Sequence, residues 1–198
     1  MNKNRVDIMV DIETLGKESD STITQVSAIA FDILTGDYID IFNMIADIEK
    51  NSEPINVDGS TLKWWMNTNH DLLKELLLSG DKSSEQILRE FQRWIKSFYG
   101  NNSKNVYLWG NGILFDNKMI KHQMESLNIS YPIFYRNDRD VRTIIDLAGN
   151  KLGITEGELK DMYKDNSLVE HNALDDVKYQ IKLVVGCYNE LIKGDYDG

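Results

Sequence analysis

Two carboxylate side chains stand two residues apart in an otherwise apolar stretch near the start of the chain. The stretch MVDIETLG, Met9 to Gly16, contains Asp11 and Glu13. Side chains alternate between the two faces of a β-strand, so both carboxylates point the same way while the residue between them faces the core. Like charges repel unless a cation lies between them, and carboxylate oxygens are ligands that Mg²⁺ or Mn²⁺ prefers. Alone, the spacing is a weak signal, because a solvated strand-end pair has the same pattern.

Two further segments carry residues that suit the same chemistry. GNGILFDNKMI places Asp116 after an aromatic residue and a glycine-bearing loop. VEHNALDDVKYQ contains H-x-A-x-x-D, from His171 to Asp176. The pKa of a histidine lies near neutrality, which suits a general base. Each residue also has a simpler explanation, since Asp116 can stabilise a helix N-terminus through the helix dipole and His171 can merely precede a helix.

The predicted elements place these residues at the ends of strands and helices. Short apolar runs predict three early strands and a fourth: Arg5–Ile12, Gln25–Ile33, Tyr38–Ala46 and Asn105–Gly110. Apolar residues at helical spacing predict four helices: Thr61–Leu78, Ser84–Phe98, about Phe115–Leu127, and a long amphipathic helix through Ala173–Leu191. Strands first, then helices around one more strand, favour one α/β domain with a mixed sheet.

Composition narrows the classes of function. The net charge of −10 argues against a broad electrostatic grip on nucleic acid. It does not exclude a nuclease, because bound metal ions reverse the sign of an acidic site. The single cysteine, Cys187, excludes an internal disulfide and a multi-cysteine zinc site. No stretch reaches the length of a membrane span and the N-terminus lacks a signal-peptide pattern, so we expect a cytoplasmic protein.

In this order, D-x-E, a middle F-D and H-x-A-x-x-D resemble the histidine-bearing branch (DEDDh) of the DEDD superfamily of 3′–5′ exonucleases. STLKWWM (60–66), LWGNG and RDVRTIIDL (139–147) are similar to the small exonucleases of the Rv2179c-like type and their phage-encoded relatives, which include phage exonuclease A. The resemblance implies an RNase H-like α/β fold, with a central mixed five-stranded sheet flanked by helices. It also implies that residues 1–198 form one exonuclease domain and that the protein forms a homodimer. If the protein is phage-encoded, the resemblance implies that it acts in the host cytoplasm.

The resemblance further implies a two-metal hydrolysis that releases nucleoside 5′-monophosphates from the 3′ end of single-stranded or frayed DNA or RNA. Asp11 would bridge both ions, Mg²⁺ or Mn²⁺. Glu13 and Asp176 would complete the first ion site, and Asp116 would hold the second. His171 would be the general base that takes a proton from the attacking water.

The choice between Asp175 and Asp176 depends on where the last helix begins. If the helix already includes His171, helical spacing puts Asp175 on the same face, at i+4. The family pattern chooses Asp176, which requires His171 to lie in a loop before a helix that begins near Ala173. We follow the family pattern and predict that Asp175 is a solvated neighbour.

The substrate contacts rest on weaker patterns. By the resemblance, Thr14, Leu15 and Gly16 would offer backbone groups and a wedge beside the terminal nucleotide. Trp65 falls on the apolar stripe of its helix and is expected in the core. Trp64 falls off that stripe and could stack on a base. A partly exposed packing role for Trp64 is the alternative.

Three polar residues complete the candidate contacts. Arg139 and Arg142 could pair with a phosphate, although ion pairs with Asp138, Asp140 or Asp146 would explain them as well. Asn111 could orient the scissile phosphate or cap a turn.

Two other functions stay open at this point. VDIET is close to the D-x-D-x-T/V pattern of haloacid-dehalogenase-type phosphatases, in which Asp11 would form an aspartyl-phosphate and His171 would not be needed. Glu13 departs from that pattern. The second alternative is a catalytically inactive nucleic-acid-binding module. No residue distinguishes DNA from RNA as the substrate.

Overall fold

The computed structural model describes residues 5–100, 102–169 and 171–193. The ends of the expected domain, 1–4 and 194–198, lie outside the described residues. The described residues form five strands: Val6–Thr14 (β1), Ile23–Phe31 (β2), Tyr38–Ile45 (β3), Val106–Gly110 (β4) and Asp138–Asp140 (β5). They also form seven α-helices: Gly59–Thr68 (α1), His70–Leu78 (α2), Ser84–Ser97 (α3), Asp116–Ser126 (α4), Val141–Leu152 (α5), Glu156–Met162 (α6) and Ala173–Ile192 (α7). No helix within these ranges is long and apolar enough to cross a membrane.

The described strands form one mixed sheet in the order β3-β2-β1-β4-β5. β1 pairs antiparallel with β2 and parallel with β4, while β3 and β5 occupy the two edges. The expected five-stranded mixed sheet is therefore confirmed. β1 is the central strand, so the two carboxylates of the D-x-E segment stand in the middle of the sheet.

Each face of the sheet is covered by helices. One face of β1, with Ile8, Val10 and Ile12, packs in a core with α3 and α4. The other face, with Met9, packs against α5 and α7. The alternation read from the sequence thus separates an apolar face from the face that carries Asp11 and Glu13.

The helix expected at Thr61–Leu78 is two helices, so its predicted continuity is wrong. Asn69 leaves the helical region, with φ −155° and ψ 70°. Its backbone N–H donates to the Trp65 carbonyl at the end of α1, and its side chain accepts from the Leu72 N–H at the start of α2. One asparagine therefore ends the first helix and caps the second.

Other boundaries differ by a few residues. β1 runs to Thr14, two residues past the expected end, and β2 begins two residues early, at Ile23. The turn between β2 and β3 forms where expected, with Gly36 at φ +77°. β5 has three residues and its strand was not identified from the apolar pattern, because DRD contains no apolar side chain.

Candidate active site

The carboxylates of the D-x-E segment form an acidic group with a third residue. Among the described residues, oxygen atoms of Asp11, Glu13 and Asp176 lie within 4.8 Å of one another. β1 supplies the first two and α7 the third. Glu13 is buried, with 8% of its surface exposed. The structure thus brings together residues that are 165 positions apart in the sequence.

The start of α7 decides which aspartate joins this group. α7 begins at Ala173, and the Asn172 side chain caps it by accepting from the Asp175 N–H. His171 lies in the turn before the helix, and its backbone N–H donates to Asp176 Oδ2 at 3.2 Å. Asp175 instead pairs with Lys178 at 2.8 Å and accepts from the Val169 N–H. The arrangement matches the predicted helix start and places Asp176, not Asp175, with the two β1 carboxylates.

Asp116 lies beside this group as the first residue of α4. It is buried, with 4% of its surface exposed, and burial raises its pKa to about 7. The backbone N–H groups of Ile12 and of Asp116 itself oppose that rise, as does the positive charge of Arg142. The negative charge of Asp116 in turn raises the pKa of Asp11 and of Glu13. Four carboxylates therefore share one electrostatic environment.

Two carboxylates of this group have pKa values well above the usual range of a carboxyl group. Burial raises the pKa of Glu13 to about 9, with further contributions from Asp176 and Asp116. Burial, followed by the charges of Asp116, Glu13 and Asp176, raises the pKa of Asp11 well above its usual range. A site of closely spaced, undercompensated carboxylate oxygens fits a hard divalent cation such as Mg²⁺ or Mn²⁺.

His171 adopts an uncommon backbone conformation near this group. Its φ is +65°, in the left-handed region that residues other than glycine seldom occupy. Its imidazole meets the Trp64 indole edge to face, with ring centroids 5.0 Å apart and an angle of 83° between the planes. Trp64 is 42% exposed. The Trp-Trp segment therefore reaches the histidine of the H-x-A-x-x-D segment.

A cavity of about 430 Å³ opens beside Glu13 and Trp64. Its lining combines backbone, aromatic and polar groups: Ile12, Glu13, Thr14, Gly16, Lys17, Thr61, Trp64, Trp65 and Phe115. Trp65 is buried, as expected, and its indole N–H donates to the Thr14 carbonyl at 3.1 Å. The cavity is large enough for a nucleoside-sized group and has aromatic walls for it.

Leu15 differs from the expectation of a wedge beside the terminal nucleotide. Its side chain is 2% exposed and packs with Trp65 and with three leucines of α2. Thr14 and Gly16 line the cavity, while Leu15 does not. The leucine faces the small core under α1 and α2 because burying an aliphatic side chain there is favourable.

The two candidate arginines lie in different surroundings. The Arg142 guanidinium covers Gly112 so closely that a Cβ at Gly112 would lie 3.1 Å from it, and its charge lowers the pKa of Asp116. The Arg139 guanidinium lies over the Tyr107 ring, 4.7 Å from its centroid. Arg139 also donates to the backbone carbonyls of Arg136 and Asp138. Arg142 therefore lies close enough to act on a carboxylate of the site, whereas Arg139 contacts Tyr107 and backbone carbonyls instead.

Asn111 and Gln180 complete the inventory of the site. Asn111 is partly buried in the turn that follows β4, between that strand and α4. Gln180 was missed in the sequence. Its Nε2 donates to Asp11 Oδ1 at 3.2 Å, and the side chain is buried. Gln180 is four residues after Asp176, so helical periodicity from that aspartate would have found it.

Comparisons with known proteins identify the family and the fold of the chain. A family model described as the 3′-5′ exoribonuclease Rv2179c-like domain matches residues 6–188. No curated protein matches the chain. The nuclease domain of 3′hExo, a DEDDh family member solved with rAMP, has a TM-score of 0.65 at 15% identity, over 95% of this chain and 94% of that one.

Two further solved structures share the fold. Cell-death related nuclease 4 (CRN-4) has a TM-score of 0.67 at 15% identity, over 93% of this chain and 64% of that one. The zinc-bound E. coli ExoI–ssDNA complex has a TM-score of 0.63 at 17% identity, over 96% of this chain and 43% of that one. The expected RNase H-like fold is confirmed.

Proposed function

The chain belongs to the Rv2179c-like 3′–5′ exoribonuclease domain family, and from that premise we propose that it removes nucleoside 5′-monophosphates one at a time from the 3′ end of single-stranded RNA. The observation that carries the proposal is the group of Asp11, Glu13 and Asp176, with Asp116 and His171 beside it. The proposal treats the whole chain as one exonuclease unit. Membership of this family indicates 3′–5′ exonuclease activity for the domain. It argues against the haloacid-dehalogenase-type phosphatase and the inactive nucleic-acid-binding module.

Divalent cations are the proposed cofactors. Asp11, Glu13 and Asp176 would hold one ion, with Asp11 and Asp116 holding a second, because these side chains offer closely spaced oxygen ligands whose charges are otherwise uncompensated. When bound, Mg²⁺ or Mn²⁺ would polarise the scissile phosphate and lower the pKa of the attacking water. Gln180 would hold the Asp11 carboxylate in a fixed orientation through its hydrogen bond.

His171 is the proposed general base. Its imidazole would accept a proton from the attacking water as the new bond between that oxygen and phosphorus forms. The bond from phosphorus to the 3′ oxygen then breaks, and that oxygen takes a proton from solvent. The products are a nucleoside 5′-monophosphate and a strand one nucleotide shorter, with a free 3′-hydroxyl. The backbone hydrogen bond from His171 to Asp176 supports this role, because it fixes the base beside a proposed metal ligand.

The cavity beside Glu13 is the proposed site of the terminal nucleoside. Phe115 offers aromatic surface on which a base of any sequence could stack, with the backbone of Thr14 and Gly16 alongside. Arg142 is the proposed contact to a phosphate, because its positive charge already reaches Asp116. With a net charge of −10, the protein would bind substrate through these local groups rather than through a basic surface.

A degradation assay tests the proposal. 5′-labelled single-stranded RNA and DNA of the same sequence would be incubated with Mg²⁺, Mn²⁺ or EDTA, using the wild type, His171→Ala and the control His122→Ala. His122 is exposed on α4 and is therefore a matched histidine outside the site. We expect a ladder that shortens from the 3′ end, needs metal, favours RNA and is lost only in His171→Ala. Intact oligonucleotides with every metal would refute the proposal, and a preference for DNA would refute its choice of substrate.

A further inference from the structure

The His171 imidazole packs against an aromatic neighbour. Among the described residues it has no hydrogen-bond or ion-pair partner, and its ring contact is with Trp64 at 5.0 Å. We propose that Trp64 is a positioning residue that holds His171 in its working orientation. This inference rests on the proposed role of His171 as the general base.

The backbone of His171 fixes where the side chain begins but not where it points. The N–H of His171 is bonded to Asp176, and the next residue, Asn172, caps α7. These contacts hold the Cα at a φ of +65°. Rotation about the side-chain torsions remains, and an edge-to-face aromatic contact selects among those rotamers. Trp64 supplies that contact.

Trp64 is itself tied to the strand that carries the carboxylates. Its ring meets the Trp65 ring edge to face, with centroids 5.1 Å apart. Trp65 is buried, and its indole N–H donates to the carbonyl of Thr14, the residue after Glu13. The contacts therefore run from β1 through both tryptophans to His171. They set the separation between the proposed metal ligands and the proposed base.

A positioning role differs from a stacking role in what it predicts. Trp64 also lines the cavity for the terminal nucleoside, so a platform for the base would lower KM and depend on that base. A positioning residue acts on the chemical step, depends on His171 and is indifferent to the base. Misplacing a catalytic group by about 1 Å can cost on the order of a hundredfold in rate.

The experiment is a cycle of variants on two substrates. Trp64→Ala, His171→Ala and the double variant would be assayed in single turnovers on an RNA oligomer with a normal 3′-terminal nucleotide and on one whose terminal ribose lacks a base. We expect Trp64→Ala to lower the rate of the chemical step about tenfold or more on both substrates, with a smaller change in KM. In the His171→Ala background, we expect no further loss. Trp64→Phe, which keeps an aromatic ring, should restore the rate to within about threefold.

Controls separate positioning from damage to the fold. Met66 is 60% exposed on the same helix, and Met66→Ala should keep the wild-type rate. Trp64→Leu keeps apolar bulk without a ring, so it should behave like Trp64→Ala while unfolding at nearly the wild-type temperature. A loss that disappears on the substrate without a terminal base, or that persists in full without His171, would overturn the inference. So would a wild-type rate for Trp64→Leu.

Failure of this inference is distinguishable from failure of the proposed function. If His171→Ala is impaired and Trp64→Ala is not, the base is confirmed and the positioning role fails. If His171→Ala is fully active, the proposed function loses its base and the inference falls with it.

Discussion

Two acids on the same face of β1, Asp7 and Asp11, have opposite surroundings. Asp7 is fully buried and accepts three hydrogen bonds, two from the Arg5 guanidinium and one from the Trp109 indole, each at 2.7 Å. Four residues along the strand, Asp11 accepts one hydrogen bond among the described residues, from Gln180, and is surrounded by other carboxylates. One acid is neutralised by the fold, while the other is left for a ligand to neutralise.

The difference shows how a structural acid is told from a functional one. Both are aspartates on one face of the same strand, so the strand pattern does not separate them. The hydrogen-bond donors around each carboxylate distinguish the two residues. A charge that is largely shielded from water and has few donors is costly, so its retention indicates a cation or a reaction that requires it.

The largest expected effect comes from Asp11→Asn. The change keeps the shape of the side chain but removes the charge shared by both proposed ions, so we expect activity on RNA to fall by at least about a thousandfold. Thermal unfolding in EDTA should show a protein at least as stable as the wild type, because an amide is neutral in this desolvated site without binding a proton. Activity above one tenth of the wild-type level would contradict the assignment.

Asp7→Asn is expected to give the opposite pattern. It breaks a buried ion pair with Arg5, so the free energy of unfolding should drop by about 3 kcal/mol. Urea denaturation followed by tryptophan fluorescence would measure this drop. Activity per folded molecule should stay near that of the wild type. As a control, Asp37→Asn changes an exposed acid and should alter neither stability nor activity.

The contrast also predicts how stability depends on pH. The pKa of Glu13 is raised to about 9 in the folded state, so between about pH 4.5 and pH 9 the folded protein binds more protons than the unfolded chain. The free energy of unfolding should therefore fall as pH rises through this window in EDTA. Because a cation stabilises the ionised carboxylates, Mn²⁺ should raise the unfolding temperature more at pH 8 than at pH 6. Equal shifts at both values would show that these carboxylates do not bind the metal.

The smallest expected effects on activity come from the two arginines, Arg142 and Arg139. Arg142→Gln removes a charge that stabilises ionised Asp116 and the proposed phosphate contact, and we expect kcat/KM to fall about tenfold. Arg139→Gln removes the same charge from above Tyr107, where it faces no proposed ligand, and should change kcat/KM less than about threefold. Equal losses of kcat/KM in the two variants would contradict the proposal that Arg142, and not Arg139, contacts the phosphate.

Local patterns were enough to anticipate much of the site. The alternation along β1 correctly placed Asp11 and Glu13 on one face, and the start of α7 after Asn172 agrees with the family pattern in bringing Asp176 to them. These features depend on strand periodicity and helix capping, which neighbouring residues determine. The roles of the residues remain proposals.

The remaining features depend on contacts that sequence periodicity does not encode. Asn69 divides a continuous apolar stripe by capping, and the burial of Leu15 depends on a small core formed by two later helices. The separation of Arg139 from Arg142 arises where β5 ends and α5 begins. Side chains three residues apart diverge there because strand and helix direct them differently.

The central claim is that water attacks the terminal phosphodiester at this carboxylate site. The most direct test is to degrade single-stranded RNA in ¹⁸O-labelled water with Mn²⁺ and to analyse the products by mass spectrometry. We expect one ¹⁸O atom in the phosphate of each released nucleoside 5′-monophosphate. Label found only in inorganic phosphate, with the oligonucleotide otherwise intact, would contradict it and identify a phosphatase.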